Sequence, residues 1–194
     1  MNKDDELLAH LQEKISDAAT RTDITSEPSP SARPPATPGV IAATEASLGS
    51  PLHPFLKRVY AEVADGGFGP GYGLLSLEPI EAGPDQRSLL SVYKDFRAGG
   101  WPESLLPLWD WGGAAWSCLD AGSHDGIIVT HDDVVGPTET AFTIRSWLKA
   151  WVTGVDLWKE IYEDKEATII NPFTKKPVTT KVRGRAKGKT WTAR

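Results

Sequence analysis

The chain has 194 residues, a net charge of −5 and one cysteine. That length suits one domain with extensions and a real core. A single thiol excludes an intramolecular disulfide framework and fits a reducing cytoplasm, which is the expected location. No apolar run reaches membrane-spanning length, and Met1-Asn-Lys-Asp-Asp-Glu6 is acidic rather than signal-like, so no membrane partner is expected.

Charge is placed unevenly. Residues 1–170 hold 13 Lys/Arg against 26 Asp/Glu, whereas 171–194 hold 8 Lys/Arg and no acid. Between Arg97 and Arg145 there is no basic residue, yet Glu103, Asp110, Asp120, Asp125, Asp132, Asp133 and Glu139 lie there. Eight tryptophans against one methionine point to an aromatic-anchored core.

Residues 4–17 read as a helix with acids in the first turn and a stripe of Leu8, Leu11 and Ile15. Residues 20–38 are rich in Pro, Ser and Thr and read as an extended linker. A short helix over 40–48 closes at Gly49, which suits a left-handed residue. Pro51 and Pro54 block its continuation, and Pro54 suits the first turn of the next helix. That central helix carries Phe55, Val59, Tyr60 and Val63 on one face.

Gly66 and Gly67 end the central helix. Gly67, Gly69, Gly71 and Gly73, with Pro70, then make a turn-rich loop, and Leu74–Leu77 reads as a short strand. Pro79 to Asp85 is a loop. Ser88 to Ala98 is a helix with Leu89, Tyr93 and Phe96 facing inward. Leu105–Trp111, Ala114–Leu119 and Ile127–Thr130 read as three strands of an antiparallel meander, with Pro107 marking an edge or bulge. Alternation places Trp109 and Trp111 on one face. Thr140 to Gly154 reads as a helix, and Val155–Tyr162 as one or two further turns. Thr168–Val182 can pair as a hairpin, and 183–194 read as a basic, frayed tail.

The segments sum to a helix over 1–19, a linker over 20–39, a globular domain over 40–163 and a basic extension over 164–194. The fold class is α+β, a twisted, mostly antiparallel sheet with helices packed on it.

Chemistry-bearing patterns are few. The glycine loop follows a helix and enters a strand, the reverse of a dinucleotide fingerprint, and it lacks the Gly-Lys-Ser/Thr of a P-loop. His124-Asp125 and His131-Asp132-Asp133 sit in turn-like sequence with only Cys118 nearby, short of a zinc ligand set, so no metal is expected. Cys118, mid-strand between Trp116 and Leu119, reads as a buried inert thiol. No Gly-x-Ser-x-Gly elbow is present. Neither cofactor nor catalytic residue is expected. The Trp109–Trp116 stretch reads as core, with a groove as the lesser option. The tail residues Lys181, Arg183, Arg185, Lys187 and Lys189 leave three readings open: nucleic-acid contact, solvation, or folding back onto the acidic domain.

Two stretches carry a resemblance that covers about residues 40–160, and a third supports it. They are Glu45-Ala-Ser-Leu-Gly-Ser-Pro-Leu-His-Pro-Phe-Leu-Lys-Arg-Val-Tyr60, Asp65-Gly-Gly-Phe-Gly-Pro-Gly-Tyr-Gly-Leu-Leu-Ser-Leu77, and Leu106-Pro-Leu-Trp-Asp-Trp-Gly-Gly113. Trp101-Pro102, Ser117–Asp120 and Trp147-Leu-Lys-Ala-Trp151 with Gly154 support them. In this order they resemble the SUKH superfamily of Smi/Knr-type cell-wall-synthesis regulators and bacterial immunity proteins. The usual Leu-Pro before the central helix is Leu52-His53-Pro54 here.

The resemblance implies a non-enzymatic, protein-binding domain: an immunity protein that binds and neutralises a nuclease-like toxin, or an adaptor acting by occlusion. The alternative is a regulatory scaffold whose basic tail contacts nucleic acid or an acidic partner. Asp110, Asp120, Asp125, Asp132 and Asp133 are the expected acidic surface for a basic toxin.

Overall fold

The structure is a computed structural model that describes residues 2–23, 33–78, 87–132 and 136–193. Most of the expected linker, the loop Pro79–Asp85 and Asp133 lie outside these residues.

Helix α1 (Lys3–Ser16) starts as its sequence dictates. Asn2 Oδ1 accepts from the N–H groups of Asp4 and Asp5, and the Asp5 carboxylate accepts from Asn2 N. Its stripe is buried as Leu7, Leu8, Leu11 and Ile15. Arg145 donates twice to Asp4, at 2.8 and 3.0 Å, and Arg58 donates to Asp5 at 3.0 Å. The helix is therefore part of the same core as the rest of the chain.

Helix α2 (Pro38–Leu48) is capped by Thr37 and closes at Gly49 with φ 73°. Helix α3 (Pro54–Arg58) widens directly into a π turn over Val59–Val63, where the sequence suggested one regular helix. Val59, Tyr60 and Val63 stay buried through the change of pitch, and Tyr60 donates to the Leu75 carbonyl at 2.7 Å. Helix α4 (Leu89–Ala98) matches its expected span and is capped by Ser88.

The meander holds. Strands β1 (Leu105–Gly112), β2 (Ala115–Asp120), β3 (Ile127–His131) and β4 (Thr138–Thr143) are antiparallel neighbours in that order. The register slips between Pro107 and Trp109, the bulge that proline announced. Leu74–Leu77 is not a strand of this sheet. Leu75 N donates to Leu108 O, but Ser76 turns to bridge Ser88 and Leu77 N is taken by the Asp65 carboxylate at 2.7 Å. The stretch joins two elements instead of running along one.

Two late expectations are corrected. The segment Thr138–Thr143 is strand, and the helix α5 spans Ile144–Val152. Threonine suits a half-buried strand, and Thr140 Oγ1 donates to Ile128 O at 2.7 Å. Helix α6 (Leu157–Ile161) then leads into strand β5 (Tyr162–Ile170), which among the described residues pairs only with β6 (Pro177–Ala186). Nor is the tail frayed. Lys189–Thr190 form strand β7 against β4, and Trp191 is buried.

The main sheet is covered on both faces. Ala115, Leu119 and Ile128 join the helices in the larger apolar cluster. Trp116, Cys118 and Val129 point the other way and meet Val92, Phe96, Trp101 and Trp191. Burial pushes the Cys118 thiol far up, so it is a core residue.

Candidate functional site: a tryptophan-lined cleft

The expected acidic surface is divided by the fold. Asp110 is buried on β1; it accepts from Arg87 and from Gly112 N, each at 2.7 Å. Asp120 is fully buried and accepts from the Trp191 indole at 3.0 Å and from Gly122 N at 3.0 Å. Asp132 is buried as well. Asp125 alone among the four described acids is exposed, beside His124. These carboxylates do not form one outward face, because strand alternation and the returning tail enclose them.

The glycine loop is a packing device. Its N–H groups are spent on the chain itself: Gly67 on Leu74 O, Gly69 on Arg21 O, Gly73 on Pro70 O. Gly66 has φ 79°, and Pro70 is buried with its neighbours. A Cβ at Gly71 would stand 2.4 Å from the Asp110 carbonyl oxygen, and one at Gly69 2.8 Å from the Trp109 indole nitrogen. The loop therefore presses backbone against β1 where no side chain fits.

The tail residues also sit in strands. Lys181 pairs with Glu166 in the β5–β6 register and Arg183 with Asp164. Arg185 and Lys187 are exposed, the latter donating to the Lys159 carbonyl, and Lys189 pairs with Glu139 across β7–β4. Of the three readings left open by the sequence, folding back is the one adopted by residues 189–191.

A concave feature lies elsewhere. A cleft of about 580 Å³ is lined by Lys14, Asp23, Trp111, Trp151, Gly154, Val155, Asp156 and Trp158. Five separate segments supply it: α1, the turn after it, β1, α5 and the α5–α6 connection running into α6. Its volume lies in the range of ligand pockets.

Aromatic packing sets the walls. Trp109 and Trp111 share one sheet face, as alternation required, and both meet Trp147, at 5.8 and 6.2 Å. Trp111 then meets Trp158 at 5.4 Å, and Trp158 meets Tyr162 at 4.6 Å. The row of rings runs from the core into the cleft. Trp151 forms the opposite wall, backed by Phe68.

Charged groups flank the rings. Lys14 Nζ donates to Trp151 O at 2.7 Å and lies 4.4 Å from the centre of its ring. Burial holds the Lys14 ammonium below its usual range. Asp23 stays open at the rim, but its Oδ1 turns inward to accept from the Trp151 indole at 3.1 Å. Desolvation of that carboxyl raises its pKa against the opposing hydrogen bonds. Asp156 caps α6; its hydrogen bond with Lys159, at 2.7 Å, holds it below the usual carboxylate range. The lining thus offers indole faces with one ammonium and two carboxylates. Among the described residues the lining contains no hydroxyl, thiol or imidazole.

Sequence reading did not assemble this cleft. Trp111 and Trp151 were legible as apolar positions, but Asp23 lay in apparent linker and Lys14 lay outside the apolar stripe of the first helix. No spacing joins 14, 23, 111 and 158. The groove expected at best from Trp109–Trp116 uses only Trp111 of that stretch, because Trp109 is fully buried and Trp116 faces the other side.

Among the described residues no group of three or more potential metal ligands comes together, and no helix is long and apolar enough to cross a membrane. A search of curated proteins found no match. A profile of the SMI1 / KNR4 family (SUKH-1) matches residues 35–150. Of the cleft residues, only Trp111 falls inside that span; α1, the turn after it and the chain from Trp151 onward complete the site from outside it. The match covers more than half of the chain and agrees with the antiparallel α+β architecture: the chain belongs to the SMI1 / KNR4 family (SUKH-1).

Proposed function

We propose that the chain is a non-enzymatic binding domain of the immunity type, which occludes a basic, nuclease-like protein. The carrying observation is the cleft: the half-buried Trp158 ring, with the buried Trp111 and Trp151 behind it, is flanked by the exposed Asp23 and Asp156 carboxylates. Such a lining suits an arginine, lysine or aromatic side chain of a partner, which stacks on indole and pairs with Asp23 or Asp156. Family membership supports a protein-binding role. The acidic balance of residues 1–170 favours a basic partner and fast encounter with it.

The scaffold alternative needs a free basic arm. With 177–186 and 189–190 in strands and Trp191 buried, the described part of that arm is folded rather than a loose tail, which favours the first reading although Arg185, Lys187 and Lys189 stay exposed.

The test uses the full chain as bait in native lysate beside Trp158→Ala and an Asp23→Asn/Asp156→Asn double variant. The expected result is one stoichiometric protein partner on the native bait, weakened tenfold or more by Trp158→Ala while that variant stays folded at the assay temperature, and weakened by the double variant. The partner's nuclease or growth-inhibiting activity should then fall to zero at one equivalent of chain. A partner held equally by all three baits removes the cleft from the argument. A partner whose activity survives saturation overturns the immunity reading.

A further inference from the structure

The hairpin β5–β6 serves neither the core nor the cleft. It is rooted by Tyr162 and Ala186, both buried, and beyond that root none of residues 163–180 is buried. At a rise of about 3.3 Å per residue the strands reach roughly 25 Å outward. An isolated two-stranded hairpin is marginal in water, and this one gains nothing from packing along its outer length.

Its tip is chemically uniform. Phe173 is 93 % exposed and Ile170 61 %, with Ile169 and Val178, cross-strand partners, at 47 and 43 %. Lys175 and Lys176 lie in the same turn, both exposed, and no acid occurs after Glu166. Large apolar side chains on a convex, cationic point are an interaction surface.

The turn also bonds much of its own backbone. Asn171 Oδ1 accepts from Phe173 N and Thr174 N, at 2.9 and 3.0 Å. Asn171 N donates to Lys176 O and Lys175 N to Asn171 O, each at 2.9 Å, while Pro172 and Pro177 have no N–H to satisfy. Thr168 and Thr179 hydroxyls pair with each other at 3.3 Å. An apolar medium demands that condition, since an unbonded N–H there is costly. The Asn171 amide oxygen and the Thr168 and Thr179 hydroxyls bond within the hairpin, while the Lys175 and Lys176 ammonium groups face outward beside the apolar side chains.

We propose that this tip docks on an anionic phospholipid bilayer. Phe173, Ile170 and their neighbours enter the interfacial layer, and Lys175 and Lys176 meet the anionic headgroups. The contact is peripheral; nothing crosses. It is independent of the cleft, although the cleft's Trp158 packs on Tyr162 at the hairpin root and so fixes the two sites relative to each other.

The experiment is flotation of the full chain with vesicles of phosphatidylcholine alone or mixed with phosphatidylglycerol. The native chain should bind the mixed vesicles and not the neutral ones, and should release as salt rises. Phe173→Ala should weaken binding about tenfold and a Lys175→Glu/Lys176→Glu pair on the order of 20-fold. All should melt alike, since these side chains touch no core. A dye on Phe173→Cys, selective because Cys118 is buried, should shift to the blue on mixed vesicles. Equal binding by native chain and Phe173→Ala overturns the proposal. So does absence of binding combined with tip-dependent self-association, or with tip-dependent retention of duplex or single-stranded DNA.

Discussion

The two β-sheets of this protein obey opposite rules. The five-stranded sheet is buried on both faces, by helices on one side and by Trp101, Phe96 and Trp191 on the other. The two-stranded sheet buries only its root. In the first, apolar side chains are inside because water is expelled from between layers. In the second, Ile169, Ile170, Phe173 and Val178 face solvent although nothing in the fold needs them there. Apolar residues held outside at no structural gain mark the part of the chain free to serve contact.

The sharpest way to break that contrast is Trp147→Ala. Trp147 is fully buried against Trp109, Trp111 and Phe142, so the loss should be about 3–5 kcal/mol by chemical denaturation. Ile170→Ala in the hairpin should stay within about 0.5 kcal/mol. Comparable losses would mean that the hairpin is packed in solution.

Trp191→Ala probes the second face of the large sheet. It empties an aromatic site and strips the buried Asp120 carboxylate of its indole donor, with an expected cost of about 2–4 kcal/mol. Ending the chain after Lys187 should act alike. A neutral outcome would return the tail to solvent.

Asp4→Asn tests how α1 is held. Its bond to Arg145 keeps the Asp4 carboxyl below the ordinary value, so the pair stabilises the fold above the unfolded pKa, near 3.8, and loses that contribution as pH falls through the folded value. Both partners are partly solvated, so the change at neutral pH should be at most about 1 kcal/mol and shrink with salt. Leu11, fully buried on the same helix, carries more of the attachment.

The smallest effect is a slope. Burial raises the Asp23 carboxyl above its unfolded value of 3.8. Between the two values the folded chain binds more protons, so stability falls as pH rises through that window. Asp23→Asn keeps an acceptor for the Trp151 indole and should flatten the slope in melts taken across it. Because the residue is open at the rim, the slope is shallow.

Much of this architecture could be read in the chain. Asn2, Thr37 and Ser88 sit where caps are needed, Gly49 where a left-handed residue closes α2, and Pro107 where β1 slips register. These are local constraints, expressed within a few residues of where they act. The misreadings were not local. Thr140–Thr143 merged with α5 because Phe142 suits either period, and only pairing with β3 decides between them. The acids from Asp110 to Asp132 looked like one surface because a charge count has no inside. The cleft was illegible, since its eight lining residues are contributed from both ends of the chain and its middle.

By itself, then, the sequence determined the caps, the stops, the meander, the shared face of Trp109 and Trp111 and the family. Each of these rests on short-range sterics or on alternation along one segment. Tertiary structure alone decided that Trp191 closes over Asp120, that Lys14, Asp23 and Trp158 share one cleft, and that Phe173 stands in water. Burial is a property of neighbours brought from far along the chain, and only the completed fold supplies them.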